Sequence, residues 1–166
     1  MEKIESKNLE YRKFADSDFD DLVEILTNEE VCKYLPGDKA YSKDVVKNFL
    51  NYYKTNFSPS TPSMCYGIFE KEKSKLIGYG GVVFVKELEM PEIMYGFNSN
   101  YWNKGYATEA AYRFKLLART LGLKKLVGLA DIDNIASNKI LKKIGYKFIK
   151  QTNMWNTELY MYELDV

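Results

Sequence analysis

Two rhythms of apolar residues alternate along the chain. Short runs or period-two alternation occur in "LEYRKF" (9–14), "MCYGIFE" (64–70), "KLIGYGGVVFV" (75–85) and "EIMYGFN" (92–98). They recur in "KKLVGLADI" (124–132), from about Tyr146, and from Glu158 to Leu164. Each predicts a strand, and the run at 124–132, apolar at consecutive positions, predicts one buried on both faces. Helical spacing appears in four places. Phe19, Leu22, Val23 and Leu26 follow a candidate cap at Asp16 or Ser17, and Val45, Val46, Phe49, Leu50 and Tyr53 fall within about Ser42 to Lys54. A third helix carries Ala107, Ala110, Ala111, Phe114, Leu117 and Leu121 up to Gly122, and a fourth carries Ala136, Ile140, Leu141 and Ile144 up to Gly145. Pro36-Gly37 marks a turn, "KEKSK" joins a hairpin, and "NFSPSTPS" (56–63) reads as a loop inside one domain. The predicted order is β-α-α-β-β-β-α-β-α-β-β, an α/β domain with a mixed sheet.

Composition narrows the classes. With 166 residues, 46% hydrophobic and 28% charged, the chain fits one soluble domain spanning 1–166. A net charge of +1 gives no electrostatic reason to expect nucleic acid or a membrane as partner. No signal-like or membrane-spanning run is evident, and Cys32 and Cys65 are isolated, so a reduced, cytoplasmic setting is expected. The sequence has no histidine. That removes Ser-His and Cys-His nucleophilic chemistry and argues against a zinc site, leaving proton transfer to carboxylates, phenols, lysine, hydroxyls or water.

Glycine placement points to the site. Gly78, Gly80 and Gly81 do not form a dinucleotide fingerprint, because position 83 is valine and no helix pattern follows. A bulge or a close approach explains them instead. "YWNKGYATEA" (101–110) differs, because Gly105 stands where a strand gives way to a helix. A helix N-terminus has free N–H groups and about half a positive charge, and glycine lets an anion reach them. Gly105 could equally serve only the backbone angles of the turn.

"EIMYGFNSNYWNKGYATEA" followed by "NIASNKILKKIGYKF" resembles the GCN5-related N-acetyltransferases (GNAT), most closely the branch of Rim-type ribosomal-protein N-terminal acetyltransferases. The family's Q/R-x-x-G-x-G/A motif falls on Trp102 to Ala107, with Gly105 and Ala107 matching and Trp102 departing. The likeness extends over nearly the whole chain. It implies a mixed sheet of about seven strands with a splayed fourth/fifth pair and about four helices. It further implies acetyl-CoA as co-substrate, no metal, an amine acceptor, and a monomer or homodimer. Asn103, Lys104, Gly105, Tyr106, Ala107 and Thr108 would wrap the pyrophosphate. Phe97, Asn98 and Ser99 would run beside the pantetheine arm, with an N–H near Phe97 polarising the thioester carbonyl. Asn134 would contact the pantetheine.

One family position differs. Many members carry a tyrosine seven residues after this asparagine to protonate the leaving thiolate, and here Leu141 stands there. Ser137, which matches the serine of the Rim-like branch, becomes the candidate acid, or else a first-turn hydroxyl. Glu92, at the start of the fourth strand, is the candidate base, directly or through water, or else a strand-end charge. Glu109 is expected to complement the helix N-terminus, and Lys139, Lys142 and Lys143 to meet CoA phosphates or solvent. Tyr34, Tyr41, Tyr52 and Tyr53 could wall the acceptor site, with the loop "TNMWNT" near it, or simply pack. The implied activity is transfer of an acetyl group to a primary amine, on a protein or peptide N-terminus or a small molecule, by direct attack in a ternary complex. The rival is an acyl-CoA-binding regulatory module without turnover.

Overall fold

The computed structural model describes residues 4–37 and 39–166. Eight strands form one sheet: β1 (Ile4–Glu5), β2 (Leu9–Arg12), β3 (Met64–Glu70), β4 (Leu76–Val85), β5 (Met90–Phe97), β6 (Lys125–Asp131), β7 (Lys147–Met154) and β8 (Thr157–Asp165). The helices are α1 (Phe19–Leu26), α2 (Glu29–Cys32), α3 (Lys43–Thr55), α4 (Tyr106–Thr120) and α5 (Ile135–Lys143). Strand order is β1-β2-β3-β4-β5-β6-β8-β7, antiparallel except where β5 meets β6. The expected elements are all present. The additions are β1 and α2, of two and four residues, too short to leave a periodic signature. The strands expected as fourth and fifth are thus β5 and β6.

Helices cover both faces, and the pleat divides the side chains between them. Ile93, Tyr95 and Phe97 pack toward α4 and α5, in a core that includes Phe114, Ala118, Leu141 and Ile144. Tyr79, Val83 and Met94 pack on the other face with Leu22, Ile25 and Leu26 of α1 and Val46 and Leu50 of α3. β6 is buried on both sides at Leu126, Val127 and Gly128, as its continuous apolar run predicts.

Caps set the helix ends. Ser42 Oγ accepts the Val45 N–H and starts α3 as expected. Before α1 the expectation fails, because neither Asp16 nor Ser17 caps the helix. A 3-10 turn at Asp16–Asp18 intervenes. Asp18 is the residue held, accepting both arms of the Arg12 guanidinium at 2.9 and 2.8 Å and the Ala15 N–H at 2.7 Å. A bidentate arginine fork outcompetes an exposed cap.

The β4 glycines mark both features expected of them. A register irregularity between Ile68 and Phe69 lies beside Gly78. Gly81 permits a close approach, because a Cβ there would drive into the Met64 carbonyl oxygen of the neighbouring strand. Backbone cannot swing aside as a flexible side chain can. Gly81→Ala is therefore expected to lower stability by about 3 kcal/mol, read as a lower midpoint in urea unfolding. An unchanged midpoint would contradict this packing.

Candidate active site

β5 and β6 run parallel but share a single point of register, Glu92 opposite Val127. On its other edge β5 stays laddered to β4 from Met90 to Phe97. The Asn98 N–H donates to Ile77 O at 2.9 Å, so Phe97–Gly78 and Tyr95–Gly80 are the non-bonded pairs of the antiparallel ladder. The N–H groups of Tyr95 and Phe97 therefore point away from β4, into the gap where β6 has diverged. The Phe97 carbonyl oxygen accepts the Trp102 indole N–H at 2.9 Å. Trp102, the departure from the family motif, thus tethers the end of β5.

A cleft of about 560 Å³ occupies this gap. One wall is the start of α4, contributed by Asn103, Gly105, Tyr106, Ala107 and Thr108. Gly105 is the N-cap residue at φ +81°, ψ 0°, two residues after Asn103 at φ +59°. No side chain caps α4, which leaves its first-turn N–H groups for the cleft. A Cβ on Gly105 would meet nothing within 4 Å. The left-handed backbone is reason enough for glycine, and open space lies in front of it.

The opposite wall is α5. Asn134 is its N-cap, with Oδ1 accepting the Ser137 N–H at 3.1 Å. Ser137 Oγ lies 3.1 Å from Tyr95 Oη, so a hydroxyl pair spans the gap between β5 and α5. Burial pushes the Tyr95 phenol up to about 12, with the Ser137 bond opposing the shift. Tyr95 was missed in the sequence because tyrosine in a strand reads as core. Leu141 is 2% exposed and packs over Gly128 of β6.

The structure brings together Phe97, Asn103, Gly105, Tyr106, Ala107, Thr108, Asn134 and Ser137 on one cleft. Three residues expected to bind the cofactor are placed elsewhere. β5 stops at Phe97, and Asn98 turns inward to donate to Glu24 Oε1 at 2.9 Å. Ser99 Oγ accepts from Asn28 at 3.2 Å. Both side chains secure α1 and α2, because a buried amide must find partners. Lys104 lies outside the cleft lining, its ammonium 5.0 Å from the Tyr101 ring centre. Lys139 lines the cleft, and Lys142 and Lys143 do not. Glu109 accepts the Asn8 N–H and side-chain amide at 2.7 and 2.8 Å, which ties the β1–β2 turn to α4.

The cleft passes through the splay to the other sheet face, where Val31, Tyr34, Leu35 and Tyr79 line it and Glu30 supplies a carboxylate. Of the four tyrosines considered for this wall, Tyr34 lines the cleft. Tyr41 and Tyr53 pack against the core, and Tyr52 is 55% exposed. The hairpin tip between β7 and β8 reaches Glu87, to which the Trp155 indole donates at 2.8 Å.

Glu92 sits at the vertex of the splay. Its residue surface is partly exposed, yet Oε2 is sealed from solvent without a hydrogen-bond partner. Desolvation pushes its carboxyl up to about 8. It does not line the cleft itself, so it can exchange protons with the cleft only through an intervening molecule.

Comparison with known proteins agrees with this geometry. Residues 8–147 match the acetyltransferase (GNAT) domain family. A Bacillus subtilis (strain 168) protein described as an uncharacterized N-acetyltransferase, YnaD, is 31% identical over 95% of this chain and 94% of its own. A GNAT-family acetyltransferase from Bacillus anthracis superposes with a TM-score of 0.81 at 23% identity, covering 99% of this chain and 98% of that one. RimL, a ribosomal L7/L12 protein acetyltransferase solved with coenzyme A, gives 0.78 at 15% identity over 99% and 98% of the two chains. The chain belongs to the GNAT family of acetyltransferases, enzymes that transfer acetyl groups from acetyl-CoA.

Gly105→Asn separates the two uses of this glycine. Asparagine tolerates a left-handed backbone, so the fold should persist while its side chain enters the open space. CoA binding is expected to weaken at least about tenfold, measured by calorimetry. Undiminished affinity would make Gly105 a turn residue alone.

Proposed function

We propose that the protein acetylates a primary amine by direct transfer from acetyl-CoA within a ternary complex. The observation that carries this reading is the cleft through the splay. It offers backbone donors on the α4 face and an opening for an acceptor on the α1–α3 face. The pyrophosphate would lie against the first turn of α4, where uncapped N–H groups and the helix dipole favour an anion. The Phe97 N–H would donate to the thioester oxygen as it gains charge.

The amine nitrogen attacks the acetyl carbon and the carbon–sulfur bond breaks. The amine's proton passes through water to Glu92, whose raised pKa suits a base working near neutrality. Ser137 donates a hydrogen bond to the departing thiolate, which takes its proton from that hydroxyl or from water. Among the described residues the acceptor end is mainly apolar and aromatic, with Glu30 supplying a carboxylate, rather than densely acidic. This supports a peptide N-terminus or an amine on an apolar carrier over a polyamine or aminoglycoside. Leu141 favours the second reading, a regulatory module without turnover, because its buried side chain supplies no proton donor.

Thiol release from acetyl-CoA across a panel of peptides and amines decides between them, and release above background is the expected result. With the best acceptor, kcat should rise with pH through about 8 as Glu92 loses its proton. Glu92→Gln should lower kcat roughly 10²-fold and remove that inflection. The same group shapes stability without ligand. The folded state keeps this proton to about 8 and the unfolded chain releases it near 4.5, so stability falls as pH rises between them. Glu92→Gln should flatten that slope in thermal melts. An unchanged rate profile would leave Glu92 a buried carboxyl with no part in transfer.

A further inference from the structure

The Tyr95–Ser137 contact has no counterpart in the glycine motif, and it lies where the cleft crosses from β5 to α5. Ser137 is fixed twice. Asn134 Oδ1 holds its N–H at 3.1 Å, and Tyr95 Oη meets its Oγ at 3.1 Å. Both side chains line the cleft, and Tyr95 lies two residues before Phe97 on the same sheet face. Either hydroxyl can donate in the resting pair, but once the serine O–H turns to an anion in the cleft the protonated phenol is the one left to donate to Oγ. Burial keeps the phenol protonated across the working pH range, so it retains the proton for that bond.

We propose that Tyr95 is a positioning residue that orients the Ser137 hydroxyl toward the departing thiolate of the acyl donor. The inference rests on the transfer reaction proposed above and adds a residue to it. No net proton leaves Tyr95. Its hydrogen bond to Ser137 Oγ strengthens as Ser137 O–H donates to the sulfur, and the thiolate's final proton comes from serine or solvent. The serine three residues after the capping asparagine thereby supplies the hydroxyl of this cleft wall. Leu141 is free to pack over Gly128.

The test is a double-mutant cycle with the acceptor the panel yields, or with water as acceptor if acetyl-CoA is merely hydrolysed. Tyr95→Phe keeps the ring and removes the hydroxyl. It should lower kcat about 3–10-fold, the size of one hydrogen bond, with KM for acetyl-CoA unchanged. In a Ser137→Ala background the same change should cost less than about twofold, because the group it orients is gone. Ser137→Thr, which keeps a hydroxyl, should restore most of the sensitivity to Tyr95→Phe. Equal losses in both backgrounds would overturn the proposal. A crystal structure with CoA gives a second reading that needs no turnover. The sulfur should lie within hydrogen-bond reach of Ser137 Oγ with the Tyr95 contact intact, and a sulfur lodged elsewhere would also overturn it. Failure of the wild type to bind CoA at all would strike the transfer reading first and take this pair with it.

Discussion

Buried backbone N–H and C=O groups must be paired, and the parting of β5 from β6 is where this sheet leaves some of them open. One register point, Glu92 opposite Val127, joins the two strands. Beyond it β5 is held on one edge by β4, while the N–H groups of Tyr95 and Phe97 face the gap. The Trp102 indole takes the Phe97 carbonyl, so the end of β5 is tethered without closing the space. An extended ligand with amide groups could satisfy this edge as an added strand would. The cleft, lined from both faces of the sheet, follows from that divergence.

The helices that border the gap bring complementary chemistry. α4 begins without a side-chain cap, at a left-handed Gly105, and so presents free N–H groups and positive dipole. α5 begins with a cap, and that cap fixes Ser137. One helix start is suited to hold an anion and the other to aim a hydroxyl. Glu92 at the vertex, desolvated and with Oε2 unpartnered, stores a proton affinity shifted toward neutrality. The two helix starts border one cleft because the sheet splits between them, and Glu92 lies outside its lining, where the two strands part.

The helices and half-buried strands were legible by period, and the strands buried on both faces by their continuous apolar runs. Gly105 was legible as a strand-to-helix glycine, and its φ of +81° supplies a backbone reason for it while the open space in front keeps the anion role for experiment. β1 and α2 were not legible, since two and four residues carry no period. The fates of Asn98 and Ser99 depended on Glu24 and Asn28, more than seventy positions away in the chain, which local pattern cannot pair. Asp18 was hidden likewise behind its fork with Arg12. Tyr95 read as a strand aromatic, and only the placement of α5 gave its hydroxyl a partner.

Amide NMR during a CoA titration tests the central claim most directly. If the splay is the binding site, the largest shifts fall on the N–H groups of Asn103 to Thr108 and of Tyr95 and Phe97. The outer strands β1 and β7 should stay still. Saturable shifts confined to some other surface, with those amides unmoved, would contradict the account.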